Sequence, residues 1–263
     1  MSDSFELLVL GVGDAFSETY NHTSFVVMSG GFRLLIDAPE PLPKILREAG
    51  DSCGVRVTLD EIDDVVITHL HADHVSGFET YCYHKKYHQG RLGTAHTSPE
   101  VAEVLWDQRL RGAMGVTTDV ATGKVSHNRP EDYYRLRVLD YGHENAIGPF
   151  QVSTRRAIHP IPTIGLVIRL GDVSLGYSCD TAYDPEHIAW LSGCDMILHE
   201  TGEGLHASIT RLAELPGEIR RKLWLVHYRD DHDTGRSPIQ CLRQGCLYTV
   251  AKRPNGVAKV QCA

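Results

Sequence analysis

Three histidines and one aspartate fall within six residues, directly after an apolar segment at residues 64–67. They are His69, His71, Asp73 and His74, in the pattern H-x-H-x-D-H. Side chains of an extended chain alternate with period two, so His69 and His71 point the same way. Asp73 and His74 follow where the chain turns and can face a second ion. Because imidazole and carboxylate ligands suit zinc, iron or manganese and leave positions open for water, we interpret the cluster as a metal site rather than a solvated histidine-rich loop.

Three more candidate ligands each follow an apolar segment further along the chain. His159 comes after residues 152–158, Asp180 after residues 175–179, and His227 after residues 223–226. One such residue alone is unremarkable, but packing does not explain all three in order after the first cluster. A site for two metal ions needs additional ligands of this kind. The sequence therefore predicts one site to which several strand ends contribute.

The elements that must position these ligands are short apolar strands and a few amphipathic helices. Strands are predicted at residues 6–10, 24–28, 32–36, 64–67, 94–96, 133–139, 150–158, 166–170, 173–177, 196–198, 223–226, 246–250 and 257–260. Helices are predicted at residues 43–49, where Gly50 ends the helix, and at residues 77–88, 99–110 and 185–191. Residues 111–129 have weak periodicity, which predicts a loop or lid.

No Pro/Ser-rich linker and no internal repeat divides the chain. We therefore predict one domain that spans residues 1–263. Its class is α/β, an αββα sandwich in which two mixed sheets pack together with helices outside.

Composition limits the classes of partner. The 263 residues carry a net charge of −8, which argues against the broad basic face of a nucleic-acid-binding protein. No apolar run approaches the roughly 20 residues of a membrane span, and the N-terminus lacks the basic segment of a signal peptide. Seven scattered cysteines without a C-x-x-C motif indicate no disulfide framework. We expect a cytoplasmic protein with a small-molecule substrate, no membrane contact and no extended nucleic acid as partner.

Several short motifs accompany the candidate ligands. Residues 10–16 are L-G-V-G-D-A-F, residues 177–181 are Y-S-C-D-T, residues 198–201 are L-H-E-T and residues 206–208 are H-A-S. With the histidine cluster, they make nearly the whole chain resemble the metallo-β-lactamase fold superfamily, dinuclear metallohydrolases built as αββα sandwiches. Within it, the chain is most similar to the ribonuclease Z and phosphodiesterase branch. Cys179 stands where the family pattern has glycine, and we interpret it as a small buried residue.

The resemblance implies a role for each candidate residue. The implied ligands are His69, His71 and His159 for the first ion, Asp73, His74 and His227 for the second, and Asp180 as the bridge. The ions would be two divalent metals, with zinc preferred and iron or manganese as alternatives. A hydroxide between them would be the nucleophile, because two cations lower the pKa of water.

Other side chains would assist the metals. Asp73 would also accept a proton, and His206, steadied by Glu200, would protonate the leaving group. Metal-bound imidazoles usually donate their second N–H to a neighbour. Asp37 is the first candidate for that neighbour, and Thr68 and Thr181 are secondary candidates.

The chain departs from ribonuclease Z in one respect that bears on the substrate. The resemblance places a flexible, Lys-rich arm that grips transfer RNA between the third His ligand and the bridging Asp. Here Asp180 follows His159 by only 21 residues, which a strand hairpin fills. Together with the acidic net charge, this favours a small phosphodiester such as a cyclic nucleotide. The sequence leaves a homodimer open.

Two other functions stay open on the same scaffold. One is a diiron protein that binds oxygen or senses redox state without hydrolysing a substrate, since a His-rich site also accepts iron. The other is hydrolysis of a lactone or thioester. His84 and His88, four residues apart on a predicted helix, are better explained as a solvated face than as a metal site. Arg155 or Arg156 could meet an anion beside His159.

Overall fold

The structure is a computed structural model that describes residues 4–262. The strands within these residues are β1 (Phe5–Gly11), β2 (Ser24–Ser29), β3 (Phe32–Ile36), β4 (Asp64–Val66), β5 (Gly93–Thr97), β6 (Val116–Thr118), β7 (Val125–His127), β8 (Tyr134–Val138), β9 (Asn145–Ile147), β10 (Phe150–Arg156), β11 (Ile164–Leu170), β12 (Val173–Tyr177), β13 (Met196–Glu200), β14 (Leu223–Val226), β15 (Gln240–Cys241), β16 (Leu247–Val250) and β17 (Val257–Gln261).

The helices are shorter and lie between the strands. They are α1 (Leu42–Cys53), α2 (Ala72–Val75), α3 (Phe78–Tyr83), α4 (Pro99–Val104), α5 (Arg111–Met114), α6 (Pro185–Leu191), α7 (Ile209–Ala213) and α8 (Gly217–Arg220). Helices α3 and α4 continue as wider π-helical turns at His84–His88 and Leu105–Leu110, and single 3₁₀ turns lie at Leu59–Glu61 and Pro130–Asp132. In the part of the chain that the structure describes, no helix has the length and apolar character needed to cross a bilayer.

Two large sheets form the centre of the fold. The first has the strand order β17-β16-β1-β2-β3-β4-β5-β8, and the second has the order β15-β14-β13-β12-β11-β10-β9. Both are mixed, because antiparallel hairpins such as β2–β3 and β11–β12 join parallel neighbours such as β3–β4 and β12–β13. The prediction of two mixed sheets packed together with helices outside is confirmed.

Strand β1 shows that the first sheet is covered by apolar side chains on both faces. Leu7 and Val9 lie in the core between the sheets, together with Leu166 of the second sheet. Leu8 points the other way and packs in a second core with Ile45 of α1. Successive side chains of a strand face opposite sides, and here each side is covered. The strand therefore reads as a continuous apolar run rather than an alternating one.

Strands that run in one direction bring their carboxyl ends to one edge of the sandwich. In the first sheet β3 and β4 are parallel neighbours, and in the second sheet β12, β13 and β14 are parallel. Strand β10 runs the same way as β12, because both are antiparallel to β11. Each of these strands ends in, or is followed by, polar residues that are predicted as ligands, catalytic groups or their partners. The topology therefore collects the candidate site at this edge.

The prediction that Gly50 ends the first helix is wrong. Helix α1 continues through Gly50 to Cys53, and Gly54 ends it with a φ of 74° and an N–H donated to the Gly50 carbonyl at 2.8 Å. A Cβ at Gly50 would lie 3.1 Å from the carbonyl oxygen of Val55, which is a tight contact. The first glycine is associated with close packing and not with chain reversal.

The prediction of an irregular loop or lid over residues 111–129 is also wrong. Helix α5 begins this segment, and β6 and β7 then form an antiparallel hairpin in which Thr117 faces Ser126. Asn128 fixes the base of the hairpin, since its side-chain amide donates to the Met114 carbonyl at 2.9 Å. The two strands have only three residues each and are largely exposed, so they lack the apolar alternation that identifies a strand in a sequence.

One cysteine pair is bonded, although the sequence predicts no disulfide framework. Cys246 and Cys262 are bonded in the structure, beside the hairpin of β16 and β17. The other five cysteines are free. A single bond is not a framework, and the scattered spacing of the cysteines does not reveal this pair.

Candidate metal centre

The predicted ligands meet in two groups at this edge of the sandwich. Within each group the ligand atoms lie within 4.8 Å of one another. The first group is His69, His71, His159 and Asp180, and the second group is Asp73, His74, Asp180 and His227. Asp180 belongs to both, so its carboxylate lies where a bridging ligand is needed. All seven side chains predicted from the sequence are brought together.

Interatomic distances show how closely the second group surrounds a common point. The Asp180 carboxylate lies 3.3 Å from His74 Nε2 and 3.4 Å from His227 Nε2. Asp73 Oδ2 lies 3.3 Å and 3.4 Å from the same two nitrogens. On the other side, Asp180 Oδ2 is 3.8 Å from His69 Nε2. The carboxylates therefore stand between imidazoles that come from different loops.

Several of these atoms are buried and lack a hydrogen-bond partner among the described residues. They include His69 Nε2, His74 Nε2 and Asp180 Oδ1. A buried polar atom without a partner costs free energy, so a native site with several of them needs another kind of ligand. Imidazole nitrogens and carboxylate oxygens are donors that divalent metals accept. The residues present therefore fit divalent metal ions.

The backbone around the centre is held in an uncommon conformation. Asp37, Cys179 and His227 have φ values of 59°, 53° and 56°, in the left-handed region that side chains other than glycine rarely adopt. They follow β3, β12 and β14, and they are the residues with positive φ other than glycine among those described. Such strain persists only where the surroundings enforce it, and it concentrates at functional sites.

Asp37 is the hydrogen-bond partner that the sequence predicts for an imidazole of the site. Its Oδ2 lies 2.8 Å from His74 Nδ1, which leaves His74 Nε2 to face the centre. Asp37 also accepts the Thr68 backbone N–H at 2.9 Å, and Thr68 Oγ1 lies 3.1 Å from His69 Nδ1. Thr181 has a different role, because its Oγ1 accepts the backbone N–H of Ile158 at 3.2 Å. It fixes the loop before His159 rather than an imidazole.

Charge and burial set the protonation of the centre. Burial lowers the pKa of His69 well below its usual value, so this ring is neutral. Burial also acts against protonated His74, but the Asp180 and Asp37 carboxylates raise its pKa well above the usual value. The His74 and His227 imidazoles outweigh the effect of burial on Asp180 and hold its pKa far below the usual range. Ionised carboxylates favour a bound cation, and binding of that cation would displace the proton that they stabilise on His74.

His206 and Glu200 form a pair next to the second group. Glu200 is buried at the end of β13, and its Oε2 lies 2.9 Å from His206 Nδ1. The backbone N–H of Thr181 donates to the other carboxylate oxygen at 2.7 Å. The hydrogen bond to Glu200 raises the pKa of His206 despite partial burial. The raised pKa favours the protonated form of His206, whose Nε2 lies on the far side of the ring from Glu200.

Other predicted groups lie elsewhere or are already paired. His84 contacts Asp60 at 2.7 Å, and in the described chain neither His84 nor His88 belongs to a group of candidate ligands. Arg155 pairs with Glu186 at 2.8 Å, and Arg156 pairs with Glu100. The expectation that one of these arginines is free to meet an anion is therefore not supported by its contacts.

One residue near the centre, His22, was missed, and the structure also places Cys179 there. His22 lies beside the second group, where burial lowers its pKa, and its Nδ1 is buried without a partner. Its only sequence signal is its place in the polar turn after β1. Cys179 Sγ lies 3.6 Å from His69 Nδ1. Burial raises the pKa of Cys179 well above its usual value, so it is a thiol, which agrees with its interpretation as a small buried residue.

Residues 5–248 match the family model described as Anti-Pycsar protein Apyc1. The chain belongs to the Anti-Pycsar protein Apyc1 family. Curated relatives of that name include one from Paenibacillus sp. (strain J14), 31% identical over 258 residues that cover 94% of this chain and 100% of the relative. Another is from Bacillus phage 010DV004, 31% identical over 253 residues that cover 88% of this chain and 91% of the relative.

Solved structures similar to this member of the Apyc1 family confirm the metallo-β-lactamase fold. The metallo-β-lactamase fold protein YhfI from Bacillus subtilis aligns with a TM-score of 0.74 at 15% identity, over 94% of this chain and 100% of that one. A diphosphatase of the PhnP family aligns with a TM-score of 0.68 at 15% identity, over 92% and 96%. Human tRNase Z, short form, aligns with a TM-score of 0.62 at 18% identity, over 91% and 96%. The neighbours therefore include proteins of the branch that the sequence resembles.

Proposed function

We propose that this protein is a metal-dependent phosphodiesterase that hydrolyses a small nucleotide-type phosphodiester, with a cyclic nucleotide as the substrate. The observation that carries the proposal is the pair of ligand groups that share Asp180 next to the His206–Glu200 pair. Two adjacent cation sites and a separate proton donor are what in-line displacement at phosphorus requires. The name of the relatives, Anti-Pycsar protein, fits the breakdown of a cyclic nucleotide.

The ligand assignment follows the two groups. We propose His69, His71 and His159 for the first ion, Asp73, His74 and His227 for the second, and Asp180 as the shared ligand. When bound, two divalent ions would polarise the phosphoryl oxygens and lower the pKa of water. Zinc is the preferred metal, because N/O donor sets of this kind suit it.

Side chains of the protein supply the remaining chemistry. His74 and His69 are oriented through Nδ1 by Asp37 and Thr68, so both present Nε2 to the centre. Asp73 is ionised and serves both as a ligand and as an acceptor for the proton of the attacking water. His206 carries the proton that the departing alkoxide needs, and Glu200 orients its ring. Because both sheets contribute to this one site, we also propose that the chain forms a single domain.

The size of the substrate follows from what surrounds the site. Between His159 and Asp180 the chain forms strands β11 and β12 and no projecting arm. The net charge of −8 opposes binding of a polyanion. A compact phosphodiester needs only the metals for its charge, so a mononucleotide fits better than transfer RNA.

The proposal is tested with protein purified without added metal. Its metal content is measured, and in parallel its activity on a 3′,5′-cyclic nucleotide, a 2′,3′-cyclic nucleotide, bis-p-nitrophenyl phosphate and a lactone. We expect about two metal ions per chain and hydrolysis of a cyclic nucleotide. The matched inactive variant is Asp180→Asn, which keeps the shape of the shared ligand but removes its charge. It should bind less metal and lose the activity.

Two results would overturn the proposal in favour of the alternatives. Iron content with an oxygen-dependent absorption spectrum and no phosphodiester hydrolysis would indicate a diiron sensor. Hydrolysis of the lactone without hydrolysis of any phosphodiester would indicate a different hydrolase on the same metals.

A further inference from the structure

The loop after β1, at residues 14–20, holds an exposed aromatic ring beside the metal centre. Phe16 is 90% exposed. Its backbone is nevertheless fixed, because its N–H donates to Asp14 Oδ1 at 2.9 Å. The Asp230 carboxylate accepts the backbone N–H of Glu18 at 2.8 Å and the hydroxyl of Ser17. An uncovered ring on a fixed backbone is organised in advance to receive a ligand.

This ring borders a cleft that leads outward from the site. A cavity of about 180 Å³ is lined by Phe16, Asp14 and Arg229 together with His206 and His227. A second cavity of about 360 Å³ shares Phe16, Asp14 and Arg229, and its lining contains none of the candidate metal ligands. A ligand that lies in this cleft and reaches the proposed proton donor therefore also contacts the Phe16 ring.

The charges around the cleft indicate which part of a substrate lies there. Arg229 is already balanced, since it donates to Glu203 at 2.9 Å and to Asp231 at 3.2 Å. Glu18 and Asp230 add further negative charge to the outer cavity. The carboxylates would repel a second phosphate in this position. They would not repel a neutral planar group. The cleft therefore suits an uncharged aromatic ring attached to the reacting phosphodiester.

We propose that Phe16 is a stacking platform for the nucleobase of a mononucleotide whose phosphodiester lies at the metal centre, with Arg229 at the edge of the base. The proposal rests on the proposed function and names a subsite for its substrate. Stacking of a base on an aromatic side chain tolerates any base, because every base has a π-face. Phe16 therefore favours nucleotides over phosphodiesters that carry no base, without selecting one base.

The test compares Phe16→Ala and Phe16→Trp with the wild-type protein on two substrates. One is a 3′,5′-cyclic nucleotide and the other is a ribose 3′,5′-cyclic phosphate without a base. Phe16→Ala should raise KM for the cyclic nucleotide about tenfold, with kcat within about twofold, and should leave KM for the base-free compound unchanged. Phe16→Trp should restore the wild-type KM. Calorimetric binding of a nucleoside 5′-monophosphate and of ribose 5-phosphate should follow the same pattern.

Tyr87→Ala is the matched control, because Tyr87 is also an exposed aromatic residue (62%) and its cavity contains no residue of the metal centre. It should change neither KM nor calorimetric affinity. An unchanged KM for the nucleotide in Phe16→Ala, or an equal rise for the base-free compound, overturns the stacking proposal while the phosphodiesterase assignment stands. If the wild-type protein hydrolyses no cyclic nucleotide, the proposed function fails. The affinity for a nucleoside monophosphate then tests the stacking proposal by itself. A roughly tenfold loss of this affinity in Phe16→Ala supports stacking on Phe16, and an unchanged affinity overturns it.

Discussion

Asp73 contributes to two parts of the proposed chemistry, as a metal ligand and as a proton acceptor. Burial alone would raise its pKa, but hydrogen bonds from His227 and His74 hold the pKa far below the usual range. The side chain is therefore an anion, as a ligand must be. Asparagine has the same shape without the charge, which separates the chemical role from packing.

Asp73→Asn should weaken binding of the second metal and reduce turnover of a phosphodiester by at least about a hundredfold. Metal content per chain and kcat are measured on the same preparation, with thermal unfolding as a check on the fold. A variant that keeps two metals and turns over within a few-fold of wild type would remove Asp73 from the mechanism.

His206 supplies a second prediction, because its contribution depends on the leaving group. A sugar alkoxide leaves only with a proton, whereas nitrophenolate leaves readily without one. His206→Ala should therefore slow cyclic nucleotide hydrolysis about a hundredfold and bis-p-nitrophenyl phosphate hydrolysis less than about tenfold. The control is His143→Ala, since His143 is an exposed histidine and should affect neither substrate. Equal losses on both substrates would show that His206 is not the proton donor.

At the scale of elements, strand ends made much of the site predictable. An apolar strand followed by His or Asp can be read from the sequence, and this pattern identifies His159, Asp180 and His227. Asp37 was identified in the same way, since it follows β3. The meeting of these ends depends on the strand order of the two sheets, which hydrophobic periodicity does not give.

What the sequence did not reveal depends on contacts between distant residues. Gly50 and Gly54 are equally good signals for the end of a helix, and only the close approach of Val55 shows that the first of them is internal. The hairpin of β6 and β7 has no apolar face to detect. His22 was overlooked because its burial beside Asp73 and His74 is a property of the folded chain.

Helix α6 and strand β13 carry buried histidines that make the stability of the folded chain depend on pH. Burial lowers the pKa of His187 to about 4 and that of His199 to about 4. The His187 ring fits against β11 because position 165 is glycine, where a Cβ would lie 2.5 Å from Nε2. Both folded-state pKa values are below the ordinary histidine value. The stability that the neutral rings contribute is therefore fully present above about pH 6.5 and is lost as the pH falls toward about 4.

His187→Gln should flatten this dependence. In chelator-treated protein, the wild-type free energy of unfolding should fall between about pH 6.5 and 4.5, and the variant should lose up to about 1.4 kcal/mol less per pH unit. Urea unfolding at a series of pH values measures the slope, which is independent of any constant destabilisation by the substitution. His143→Gln, at an exposed position, should leave the slope unchanged. A slope in His187→Gln identical to wild type would mean that the buried ring does not titrate differently on unfolding.

At the scale of the whole molecule, the proposed metals join the two sheets. His69, His71, Asp73 and His74 follow β4 of the first sheet, whereas His159, Asp180 and His227 follow strands of the second. Ions held by both sets bind the folded chain and not the unfolded one, so they stabilise it by mass action. The apolar core between the sheets should nevertheless keep the fold without metal.

Metal removal should therefore lower thermal stability without unfolding the protein at room temperature. A free ion at about 1,000 times its Kd contributes about 4 kcal/mol, which for a chain of this size corresponds to a fall in Tm of roughly 10 °C. Calorimetry before and after chelation measures the change, and zinc added back should reverse it. In Asp180→Asn, which lacks the shared carboxylate, the difference should be smaller. An identical Tm with and without chelator would contradict a metal link between the sheets.

The distribution of charge over the molecule also limits the size of the substrate. A protein that grips transfer RNA neutralises many phosphates, and its affinity then falls steeply with salt. Here the net charge is −8, the segment between His159 and Asp180 is a strand hairpin, and carboxylates border the cleft beside Phe16. We expect a Kd for transfer RNA weaker than about 10⁻⁴ M at physiological salt and no processing of its precursor by protein that hydrolyses a cyclic nucleotide in the same buffer. Salt titration of binding and a precursor cleavage assay measure both quantities. Tight, strongly salt-dependent binding with cleavage of the precursor would contradict this, because a basic surface would then have to exist where the chain presents acidic side chains.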